Sequence, residues 1–73
     1  MMIFLQKNNI VYVSICIRYD TYITKTYTDK NKAIKDAKYL AEYGSITEFY
    51  IYECYTDEDK VGKLISEYST WND

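Results

Sequence analysis

Ile10-Val11-Tyr12-Val13-Ser14-Ile15-Cys16-Ile17-Arg18 is the stretch on which the fold turns. Val11, Val13, Ile15 and Ile17 alternate with Tyr12, Ser14, Cys16 and Arg18, which is the period of two of a β-strand. One face is wholly β-branched and suits a pleated surface; the other is mixed. On the N-terminal side, Lys7-Asn8-Asn9 has turn chemistry, and Met2-Ile3-Phe4-Leu5 before it suits a short extra strand. On the C-terminal side, Tyr19-Asp20-Thr21 reads as a turn and Tyr22-Ile23-Thr24-Lys25-Thr26-Tyr27 as a second strand. The register of that strand stays open, because a slip of one residue exchanges its two faces.

At Thr28-Asp29 the period changes. Asp29 is a natural N-cap, since its carboxylate can accept from the free amides of a first helical turn. Ala33, Ile34, Ala37, Leu40 and Ala41 then share one helical stripe, while Lys30, Lys32, Lys35, Asp36 and Lys38 fall largely elsewhere. Gly44 fits the left-handed position just past the helix end. Glu48-Phe49-Tyr50-Ile51-Tyr52-Glu53-Cys54-Tyr55 is apolar or aromatic on both faces, which predicts a central strand. After a polar loop from Thr56 to Gly62, Lys63-Leu64-Ile65-Ser66-Glu67-Tyr68 returns as the last strand.

The order ββαββ predicts one α+β domain over residues 1–73. A single helix packs on an antiparallel four-stranded sheet, with the short N-terminal strand as an optional addition. One helix covers only one face of such a sheet. The other face is expected to carry tyrosines, with Tyr12, Tyr50 and Tyr52 as candidates.

A chain of 73 residues builds a thin core, and ten Tyr, two Phe and one Trp are the large side chains available to thicken it. Cys16 and Cys54 lie in separate strands and the chain has no His, so free thiols are expected rather than a zinc site. The acidic run Asp57-Glu58-Asp59 lacks calcium-loop spacing, because position twelve from Asp57 is Tyr68. The two glycines, Gly44 and Gly62, form no phosphate loop, and acid–base chemistry would have to proceed without His. We therefore expect no enzyme activity, no cofactor and no metal. The apolar start is too short for a secretory signal or a membrane span, so a cytoplasmic location is expected, with no membrane partner.

Charge is divided along the chain. Residues 1–41 hold seven basic and three acidic residues, net +4, and residues 42–73 hold two basic and eight acidic, net −6. Opposite fields are expected near the helix and near the second hairpin. Tyrosines on a sheet could stack nucleic-acid bases, but Glu48 and Glu53 stand where cations would be needed, so direct nucleic-acid binding is not expected.

The strand pair, the helix entry Tyr27-Thr28-Asp29 into Lys32-Ala33-Ile34-Lys35-Asp36-Ala37, and the hairpin ending Gly62-Lys63-Leu64-Ile65 resemble small phage and mobile-element proteins. The layout is similar to that of anti-CRISPR inhibitors, which are short, often acidic and block a host nuclease complex by binding it. The resemblance implies an inhibitor acting in the host cytoplasm on a host protein or ribonucleoprotein complex. The residues point to Tyr50 and Tyr52 as aromatic anchors, with Glu53, Asp57, Glu58 and Asp59 steering toward a basic groove. Two alternatives stay open. One is an oligomeric sponge holding a nucleotide signal between tyrosines, with Lys or Arg18 on its phosphate; the other is a structural homo-oligomer, the simplest being a homodimer.

Overall fold

Strand β1 (Ile10–Arg18) forms over the whole alternating stretch and turns through Tyr19-Asp20 into β2 (Thr21–Tyr27). The structure is a computed structural model and describes residues 10–56 and 62–70. The expected extra N-terminal strand and the acidic run Asp57-Glu58-Asp59 lie outside the described residues.

Helix α1 (Lys30–Glu42) starts where Asp29 predicts: its Oδ1 accepts from Asn31 N at 2.9 Å and Lys32 N at 3.4 Å. It ends at Gly44, whose φ of 71° is the left-handed conformation a Cβ would penalise. There Ser45 N donates to Leu40 O at 2.9 Å and Gly44 N to Ala41 O at 3.1 Å, which satisfies carbonyls of the last turn. Strand β3 (Glu48–Tyr55) and strand β4 (Lys63–Ser69) complete an antiparallel sheet of order β2-β1-β3-β4. β3 is central, as its two apolar faces require. The β3–β4 ladder is regular from Glu48↔Ser69 to Ile51↔Ser66. It then shifts so that Tyr52 meets Leu64, and Ile65 is the extra residue of a bulge.

The register decides which side of each strand the helix covers. Cys16 lies opposite Phe49 and Ser14 opposite Ile51, and all four are buried with Ala33, Ala37 and Ile46. The helix side of β1 is therefore its mixed face. Small atoms explain the choice. Ala33 and Ala37 are 0% and 1% exposed and share one buried cluster with Cys16, at 4%; Ser14, at 3%, is buried on the same side of β1. Small side chains on both layers let the helix lie close. Phe49 and Ile51 from β3 fill the volume beside them, and Phe49 stacks on Tyr68 with ring centroids 5.7 Å apart.

Tyr12, expected on the uncovered face, is corrected by the same register. It pairs with Tyr27 and Glu53, packs against the core, and belongs to the helix side. Its phenol is raised from the ordinary tyrosine value by burial and then by the neighbouring Glu53 carboxylate.

Candidate functional site

The helix-free face follows from the same alternation. β1 contributes Val11, Val13, Ile15 and Ile17, and β3 contributes Glu48, Tyr50, Tyr52 and Cys54. Tyr22, Thr24 and Thr26 extend it on β2, while Leu64 and Glu67 extend it on β4. Across the sheet the rows read Thr26–Val13–Tyr52–Leu64, then Thr24–Ile15–Tyr50–Glu67, then Tyr22–Ile17–Glu48–Ser69. The wholly aliphatic side of β1 thus lies on the face that no described helix covers. Its β1 members are half-buried.

The polar groups of this face sit at its edge. Tyr50 donates from its hydroxyl to Glu48 Oε1 at 2.7 Å, a short bond to a carboxylate that fixes the ring's direction. This bond, with burial second, pushes the Tyr50 phenol up to about 12. Glu48 and Glu67 are the charged residues among the described members of the face. Lys30, Lys32, Lys35 and Lys38 are exposed on α1, and Arg18, Lys25 and Lys63 take helix-side positions on their strands. Among the described residues, cations are therefore separated from this face by the thickness of the sheet. A phosphate held between tyrosines here would find no described cation beside it, which weighs against the nucleotide sponge at this surface.

Of the six residues singled out by sequence, Tyr50 and Tyr52 come together on the helix-free face, two residues apart on β3. Glu53 points to the opposite side, beside Tyr12, so it cannot share one flat contact with those rings. Asp57, Glu58 and Asp59 lie outside the described residues. Sequence reasoning missed the four aliphatic residues of β1 as members of the surface, together with Glu48, Glu67, Leu64 and Tyr22. The signal was present: Ala33 and Ala37 need a small-residue seat, and in β1 only the Ser14/Cys16 face provides one.

The helix side has a second feature. A cleft of about 160 Å³ opens between α1 and β2, with Ser14, Cys16 and Ala37 lining it and Ile23, Lys25 and Tyr27 on the β2 side. Tyr27 donates to Asp36 Oδ2 at 3.0 Å across it. Burial, then this bond, pushes the Tyr27 phenol up to about 12. The cleft is smaller than the roughly 300–1,000 Å³ of ordinary ligand pockets, so it is the weaker candidate. Cys16 is buried on this side, Cys54 lies on the other, and both are free thiols. Among the described residues no helix is long and apolar enough to cross a membrane. No protein family, no curated protein and no solved structure matches the chain.

Proposed function

We propose that this chain is a small inhibitor of the phage anti-defence kind. It acts by binding a host protein or ribonucleoprotein complex through the helix-free face of its sheet. The observation that carries the reading is an apolar, tyrosine-bearing face with carboxylates at its edge and no described cation. Such a face supplies the centre of a protein contact: Tyr50 and Tyr52 are rigid rings that lose little entropy on docking, and Val13 and Ile15 give flat apolar area around them. Glu48 and Glu67 favour a partner whose rim is basic, as the surface of a nucleic-acid-handling protein is. The acidic run Asp57-Glu58-Asp59 adds charge of the same sign.

A challenge assay tests this. Cells carrying defined CRISPR or restriction systems express the chain and are infected with a phage those systems block. Plaquing should recover at least a hundredfold with one of them. Recovery should fall with Tyr50→Ser plus Tyr52→Ser, and persist with Ile23→Thr on the helix side. Recovery with none of the systems, or recovery indifferent to the double tyrosine change, would refute the proposal. Changing Asp57, Glu58 and Asp59 together to Ala measures the acidic run's share, read as a loss of salt dependence in binding.

A further inference from the structure

We infer that the helix-free face is closed by a second copy of this chain, sheet against sheet, and that a partner gains the face by displacing that copy. The inference rests on the reading of this face as the contact surface and adds its regulation.

Area permits a second copy and sets its strength. Four strands about 4.8 Å apart and about eight residues of about 3.3 Å each give a footprint of about 500 Å² per copy. The pair then buries about 1,000 Å², the minimum for a biological interface and below the roughly 1,200–2,000 Å² of stable specific ones. A dimer of that size assembles reversibly and can be exchanged.

Shape and polarity are self-matching. Val13, Ile15, Tyr50 and Tyr52 form an uncharged centre, with Thr24, Thr26, Glu48 and Glu67 toward its margins. Two such faces pack about 10 Å apart with strands crossing at about 30°, apolar centre on apolar centre. Glu48 and Glu67 lie toward the Ile17 end of the face. A two-fold axis across the strands keeps the carboxylates of one copy away from those of the other, whereas an axis along the strands stacks them.

The charge also separates the two occupants. Two like copies, each of net charge −2, repel, so salt strengthens their pairing. A basic partner is attracted, so salt weakens its binding.

The test is sedimentation of the full chain from about 10 μM to about 1 mM at low and high salt. The variants are Val13→Thr plus Ile15→Thr, which keep β-branching, and Ile23→Thr, a helix-side position that is 47% exposed, as control. We expect a reversible dimer that tightens severalfold at high salt. The double variant should weaken it at least tenfold and the control should not. A monomer at the highest concentration overturns the inference, including the case in which residues 1–9 of the same chain cover the face. A dimer indifferent to the double variant, or one that loosens with salt, overturns it too. Should the double variant fail to fold, dilution of the wild type followed by amide shifts decides: movement must centre on Val13, Ile15, Tyr50 and Tyr52 and spare α1. A monomer whose Tyr50 and Tyr52 are still needed for phage recovery removes the second copy alone. Indifference in both assays removes the contact surface as well.

Discussion

Leucine placed at Ala33 and at Ala37 should have different effects, although the two alanines share one stripe and are equally buried. Ala33 packs in the core and is absent from the lining of the helix–β2 cleft; Ala37 lines that cleft of about 160 Å³. Three added carbons at position 33 must therefore push α1 off the sheet, a strain of about 1–3 kcal/mol. At position 37 the same carbons can turn into the cleft. Each methylene that leaves water there gains up to about 0.8 kcal/mol, which offsets most of the strain. Helix propensity barely separates the variants, since Leu is nearly as good a helix former as Ala. A domain of this size has a urea slope near 1 kcal/mol/M, so Ala33→Leu should lower the unfolding midpoint by about 1–3 M. Ala37→Leu should move it by about 0.5 M or less on the same scale. Urea titration followed by circular dichroism reads both. Equal losses at the two positions would refute the small-on-small seating of the helix. So would an Ala33→Leu protein as stable as the wild type.

Three further outcomes follow from single features. Gly62→Ala should cost about 1–3 kcal/mol in urea unfolding: a Cβ there would press on Cys54 Sγ, and Glu53 O at 3.1 Å and Tyr52 Cβ at 3.2 Å leave it no way round. Asp29→Ala removes the carboxylate that holds Asn31 N and Lys32 N and should cost about 1 kcal/mol, while Asp29→Asn should recover most of it. Stability should fall as pH rises from about 10 to about 12. The folded chain keeps Tyr27 and Tyr50 protonated up to about 12 while the unfolded chain ionises near 10.0, so their contribution is full below pH 10 and is lost progressively as pH rises toward about 12. Tyr27→Phe and Tyr50→Phe should each flatten that slope in urea midpoints measured at pH 9 and pH 11.

Most of the fold was legible because its signals are local. Alternation marked β1, the Asp29 cap and Gly44 bounded α1, and two apolar faces placed β3 in the middle. The orientation of β1 was not legible in the same way. Alternation separates two faces but does not say which one meets the helix, and the more apolar face is the natural guess for a core. Steric fit accounts for the other outcome: Ala33 and Ala37 are buried in one cluster with Cys16, and the Ser14/Cys16 side is the one where β1 carries small side chains. The candidate site inherits this. Tyr50 and Tyr52 were visible as aromatic residues of one strand, whereas their aliphatic neighbours depend on pairings between strands distant in sequence. Glu53 was grouped with the tyrosines by proximity along the chain, and a period of two sends it to the other side.

The bulge at Ile65 makes the two rims of the sheet unequal. Beyond it β4 carries Lys63 and an interrupted ladder, and such a strand twists away and is a poor template for another chain. Among the described residues β2 has no comparable guard: Thr21–Tyr27 is regular, exposed along nearly its whole length and holds one charge, Lys25. End-to-end growth into a fibre would need two adhesive rims, and the described strands offer one. Any edge-on association through these strands would therefore stop at a pair of β2 strands, and a second lysine on β2 is the change that would guard that rim.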